Sequence, residues 1–179
     1  MSWFAQHRPR RPGLPDSVKA ALELPHGERV LAFAVDDNTA AHVVATNWSV
    51  IVVASNGVVT LRKPWHLADA GSWNQDLWTL TITWVDGSQA AQWSFKNQSG
   101  AMAQAVHERV QSSVVLAAQL AFPGQGRGRV VIRRDHATGE LLEQTLLGRG
   151  VRRDDPEVQQ LLRATLDELR DQVGLPPER

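Results

Sequence analysis

Between Glu28 and Phe95 the chain breaks into seven short, β-rich runs separated by turn-forming residues, and this punctuation restricts the possible folds more than any other feature. The runs are 28–35 (ERVLAFAV), 41–47 (AHVVATN), 48–54 (WSVIVVA), 58–63 (VVTLRK), 67–73 (LADAGSW), 77–84 (LWTLTITW) and 88–95 (SQAAQWSF). Asn56-Gly57 and Asp86-Gly87 read as hairpin turns in which both central residues take positive φ, while Asp36-Asp37-Asn38 and Asn74-Gln75-Asp76 read as polar turns. Within 77–84, Trp78, Leu80, Ile82 and Trp84 alternate with Thr79, Thr81 and Thr83, the period of a half-buried strand. Ala91, Trp93 and Phe95 continue the apolar face, so Trp78, Trp84 and Trp93 are expected in the core.

Helical periodicity flanks this block. Asp16 or Ser17 can cap a short helix that ends before Pro25. Over 99–120, Met102, Val106, Val110, Ser113, Ala117 and Leu120 form one stripe, which predicts a long amphipathic helix. The glycines at 124, 126 and 128 then read as a linker. A hairpin about His136-Ala137-Thr138-Gly139 follows, and then a helix with Asp155 as N-cap, Pro156 in its first turn and Gly174 beyond its end. The expected organisation is a flexible basic arm (1–14), a β-rich unit with its helices (15–122, capping helix 99–120), a Gly-rich linker (123–128), a ββα extension (129–175) and a tail (176–179).

Seven consecutive antiparallel strands closed by one helix resemble pleckstrin-homology-like barrels over Glu28 to Leu120. The GERVLAFA strand, the ATNWSVIVVASNG hairpin and the VVTLRKPWHLADAGSW passage are similar to bacterial PH and GRAM-like members of that superfamily, including uncharacterised actinobacterial ones. The resemblance implies an α+β fold, a seven-stranded antiparallel β-barrel capped by a C-terminal helix, with a β-hairpin plus helix added. It also implies a binding surface rather than catalysis. Phosphoinositide-binding members carry basic residues in the first hairpin, where this chain has Asp36 and Asp37, so binding of that headgroup is not expected.

Composition removes whole classes of chemistry. With no cysteine, disulfides, thiolate metal sites and thiol nucleophiles are excluded. Nineteen basic residues balance nineteen acidic ones, so any attraction to nucleic acid or anionic membrane must be local. Apolar runs such as Val50–Ala54 fall far below the roughly 20 residues that span a bilayer, and no apolar stretch follows the charged opening segment, so a cytoplasmic protein is expected. His66 and Asp69 stand three apart as an imidazole and a carboxylate, but an extended strand would turn them to opposite faces. His107-Glu108 lacks a second histidine at helical spacing, Asp36-Asp37-Asn38 lacks calcium-loop spacing, and the 124–128 glycines lack the Lys-Ser/Thr of a phosphate loop. No catalytic residue, cofactor or metal is expected.

Charge supplies the functional hint. Arg127, Arg129, Arg133, Arg134, Arg149, Arg152 and Arg153 outnumber the acids between them to give a net +4, and residues 154–179 carry −4. The blocks can pair with each other, or the Arg-rich strip can face phosphates or an acidic partner. Candidate binding residues are Arg129, Arg133, Arg134, Arg149, Arg152 and Arg153, together with Trp48 and Trp65 at strand ends. The leading expectation is a non-catalytic adaptor for a protein partner. The alternative is nucleic-acid binding through 127–153, and a small-molecule enzyme comes third.

Overall fold

The computed structural model describes residues 13–96, 98 and 100–176. Residues 1–12 of the expected arm, with Trp3 and Phe4, and most of the tail lie outside them, whereas Leu14 at the arm's end is buried rather than flexible. The first helix, α1 (Asp16–Leu22), is followed by seven strands: β1 (Val30–Val35), β2 (His42–Thr46), β3 (Ser49–Val53), β4 (Val59–Pro64), β5 (Ala68–Asn74), β6 (Thr79–Trp84) and β7 (Ala91–Ser94). Then come α2 (Ala101–Ser113), β8 (Val114–Phe122), β9 (Gly126–Arg134), β10 (Leu141–Leu147) and α3 (Pro156–Val173).

The seven expected strands form, but they do not make a seven-stranded barrel. They divide into an antiparallel sheet β1-β2-β3-β4 and a second one β5-β6-β7, and β8 to β10 make a third. At the β4 edge, Pro64 and a 3₁₀ turn (Trp65–Leu67) redirect the chain before a ladder to β5 can start. At the β1 edge a single backbone bond from Asp37 N–H to the Ser94 carbonyl (2.9 Å) is supplemented by side chains: Asp36 accepts from Ser94 N–H (2.8 Å), Asp37 from Lys96 N–H (2.6 Å), and the Gln98 amide pairs both ways with Val35 (2.8 and 2.6 Å). The acidic residues expected at an exposed hairpin tip are therefore structural. Asp36 is only 3% exposed and also caps the turn through Thr39 N–H and Oγ.

Both faces of the first sheet are covered, which is why β3 reads as an unbroken apolar run rather than an alternating one. Ala34, Val43, Ala45, Val50 and Val52 join Trp65, Ile82, Trp84, Trp93, Met102 and Val106 in the main core. Val44, Ile51 and Val53 turn the other way and are covered by Leu14, Val18 and Leu22 around α1. Trp84 and Trp93 are buried as expected. Trp78 is not: it leaves the strand with φ 53°, is 38% exposed, and stands edge-on to Trp73 at 6.3 Å.

The long helix over 99–120 is also corrected. It stops at Ser113, where Val114-Val115 begin β8, and Ser99 lies outside the described residues. Helical and extended periods both fit this stretch, and the packing of α3 selects the extended one. Leu116, Ala118, Leu120 and Phe122 alternate toward a core shared with Val130, Ile132, Val158, Leu162 and Leu169. The expected Gly-rich linker is the β8–β9 hairpin, with Gly126 and Gly128 inside β9. A Cβ on Gly128 would stand 3.0 Å from the Leu146 carbonyl oxygen and 3.0 Å from the Phe122 ring, so close backbone approach explains that glycine. The C-terminal part is thus βββα rather than ββα. Its last helix starts and stops as expected: Asp155 accepts from Glu157 N–H at 3.0 Å, Pro156 opens it, and Gly174 takes φ 71°.

Candidate functional site

The structure distributes the Arg-rich strip among separate roles. In β9, Val130 and Ile132 face α3, which turns Arg129 and Arg133 to the opposite face of the sheet. There Arg133, 1% exposed, donates to Ser113 Oγ (2.7 Å) and to the Asp69 carbonyl (3.3 Å), and its guanidinium lies 3.8 Å from the Asp69 carboxylate. Burial lowers its pKa and Asp69 opposes that shift. Arg129 pairs with the same Asp69 carboxylate. The −4 block is not their partner. Instead α3 sends Arg170 back to Glu143 in a two-pronged ion pair (both 2.6 Å), with Asp167 at 3.3 Å. Arg152 bonds Asp155 at 3.4 Å, and Arg134, Arg149 and Arg153 are exposed. Arg127, Arg149, Arg152 and Arg153 gather at the end of the sheet where Gly148 N–H bonds the Arg127 carbonyl and Gln125 accepts from Arg152 N–H, whereas Arg134 ends β9 at the other end.

The two tryptophans also part company. Trp48 is half-buried, with its ring 3.2 Å from where a Cβ on Gly27 would stand. Trp65 is 0% exposed and donates from its indole to the Thr46 carbonyl at 2.8 Å, so it offers no surface to a ligand.

The seam between the βββα part and the first two sheets holds two histidines. His66 Nδ1 lies 3.7 Å from Asp135 without a hydrogen bond, and the His66 carbonyl accepts from Gln144 (2.7 Å). His136 Nε2 lies 3.3 Å from the Arg109 carbonyl and 3.2 Å from Ser112 Oγ. His66 and Asp69 therefore engage different partners and do not form an acid/base pair. Among the described residues no group of three or more His, Asp or Glu could hold a metal.

Burial is the largest influence on both histidines and lowers each pKa from the usual 6.5; Asp135 opposes it at His66, and the bond to the Arg109 carbonyl opposes it at His136. The unfolded chain then binds protons more readily than the folded one. The stabilising contribution is complete above about pH 6.5 and is lost as pH falls from there toward the lowered folded-state values. Thermal melts should show a lower Tm at about pH 5.5 than at about pH 7.5, and the difference should shrink when His66→Gln and His136→Gln are combined.

The feature that sequence reasoning missed lies between β5 and α2. β5 is the edge strand of its sheet and pairs only with β6. A depression of about 400 Å³ lined by Gly71, Ser72, Trp73, Ala103, Gln104 and His107 adjoins one of about 270 Å³ reaching Asp69, Val110, Gln111 and Val114. Gly71 and His107 border both, so together they follow β5 from Asp69 to Trp73. Gly71 sets the depth: a Cβ there would come 2.7 Å from Val106, so only glycine admits α2 this close. A glycine inside a strand is the signal that could have found it. Exposed Leu77 and Trp78 stand at the Trp73 end, and the Asp69–Arg129 pair stands at the other. No family model, curated protein or solved structure matches the chain.

Proposed function

We propose that the protein is a non-catalytic cytoplasmic binding module that takes an extended segment of a partner protein along the free edge of β5. The observation that carries this reading is the combination of a strand edge that no other strand pairs, with only its Asp69 carbonyl taken up by Arg133 among the described residues, and a groove beside it. An edge strand directs alternate N–H and C=O groups outward, which supplies affinity for an added strand, and the flanking depressions supply room for alternate side chains. Trp73, Leu77 and Trp78 give the groove an apolar end, and Gln104, His107 and Gln111 along α2 give it a polar wall. Among the described residues no helix is long and apolar enough to cross a membrane. Asp36 caps the first hairpin's turn and Asp37 accepts from Lys96 N–H, so acidic residues stand where a lipid headgroup would need a basic cluster.

A second reading, nucleic-acid binding, is favoured by the exposed group Arg127, Arg149, Arg152 and Arg153. It is weakened by the loss of Arg129 and Arg133 to Asp69, since each neutralised phosphate adds to affinity and to its salt dependence. A displayed library of random extended peptides separates the two readings. Selected peptides should bind the wild-type chain and lose at least about tenfold on Ala103→Arg, which fills the groove from a half-buried helix position. They should keep their affinity when all four exposed arginines become alanine. Peptide binding that ignores Ala103→Arg would overturn the proposal, and nucleic-acid binding that survives about 150 mM salt and disappears in the four-arginine variant would replace it with the second reading.

A further inference from the structure

We propose that β8 pairs with β8 of a second copy of this chain, joining two three-stranded sheets into one of six strands across a two-fold axis. β8 is the outer strand of its sheet, nine residues long (VVLAAQLAF), and carries no charge, proline or glycine. Charged residues, proline and bulges are the devices that keep edge strands from pairing. Here one bulge, between Val114 and Leu116, interrupts the register, and the ladder with β9 is regular from Leu116 to Phe122. The midpoint of that regular stretch is Gln119, which is exposed with Ala117 and Ala121 on the face away from α3. An antiparallel two-fold there sets Gln119 opposite Gln119, an amide that can both donate and accept, and sets Ala117 opposite Ala121. β8 itself brings no charged residue to the strand seam.

The position of α3 points to a second copy rather than an unrelated strand. α3 lies over β8 and β9. Arg170 anchors its flank toward β10 through Glu143. Leu161 is nine residues earlier, about two and a half turns, and therefore occupies the opposite flank on the β8 side. It is 38% exposed. Its level follows from Asp155, which accepts from Gln125 at the β8–β9 turn (2.7 Å). Six residues along the helix are about 9 Å, and the same distance back from Phe122 at about 3.4 Å per residue reaches Gln119. The exposed leucine thus stands beside the proposed axis. Strands about 4.8 Å apart would place the two α3 axes about 10 Å apart, the separation at which helices pack, with Leu161 against Leu161. A strand from another protein would cover the edge and leave that leucine in water.

The test is sedimentation equilibrium of the full chain at about 300 mM salt, which screens Glu157 and Glu168 on the same flank of α3. The wild type should approach twice 19.8 kDa with rising concentration. Gln119→Lys and Gln119→Glu should each be monomeric, since each places like charges face to face. Mixed one to one they should regain the dimer mass, and Leu161→Ser should weaken association at least about tenfold. If a Gln119 variant fails to fold, amide exchange of the wild type decides, with residues 116–122 gaining protection as concentration rises. A wild type that stays monomeric with unchanged exchange, or a dimer that Gln119→Lys leaves intact, would overturn the proposal.

Discussion

Replacing Trp65 with alanine should lower the stability of the fold by about 3–5 kcal/mol, the cost of truncating a large aromatic in a packed core. Among the described residues Trp65 is the largest fully buried side chain, and its position is set by the preceding proline and the 3₁₀ turn. Its ring packs with the strands of both N-terminal sheets and with α2, and its indole N–H satisfies the Thr46 carbonyl at the β2–β3 turn. Truncation leaves a cavity at the one corner where β4 passes to β5 without a ladder. It also removes the indole donor from that carbonyl. Urea unfolding reads the loss directly. A decrease below about 1 kcal/mol would mean that the sheets hold together without this ring.

Arg133→Ala should cost about 3 kcal/mol, because it deletes a buried cation whose partners cannot follow it. Ser113 Oγ would keep only its own bond to the Val110 carbonyl (2.7 Å), and the Asp69 carbonyl would lose its donor. Arg129 would remain on the Asp69 carboxylate, which holds the cost below that of a fully abandoned charge. Arg133→Lys should recover little, since an ammonium cannot reach Ser113 and Asp69 at once in the geometry of a planar fork. Urea unfolding with two transitions instead of one would show that the βββα part has come loose from the sheets.

These two residues also show what could and could not be read in the sequence. Turn and cap chemistry is local, and it was legible: Gly57, Gly87 and Gly139 take φ of 85°, 70° and 79° near where turns were expected. Even there the turn type differs, since Asn56 and Asp86 do not share the positive φ of their glycines. The order of the seven strands was legible because period-two alternation needs no distant partner. Closure was not, because it depends on whether two edges separated by many residues find each other. Asp36, Asp37 and Gln98 occupy one edge with side chains, and Pro64 diverts the other. The boundary between α2 and β8 was ambiguous for a similar reason. Alanine, leucine and valine at 114–121 satisfy a helical stripe and a strand face equally, and α3, 40 residues later, decides between them.

The candidate site fared likewise. A run of arginines reads as a surface, yet Arg133 is drawn inward by Asp69, 64 residues away. Trp65 looked like a loop residue available to a ligand, and the core took it. The β5–α2 groove left one local trace, Gly71 inside a strand.

Amide hydrogen exchange with and without a selected peptide tests strand addition at β5 most directly. The account predicts that alternate amides between Asp69 and Asn74, those directed away from β6, become protected on binding, with lesser protection at the neighbouring α2 residues 103–111. Protection confined to 127–153, with the β5 amides unchanged, would contradict it.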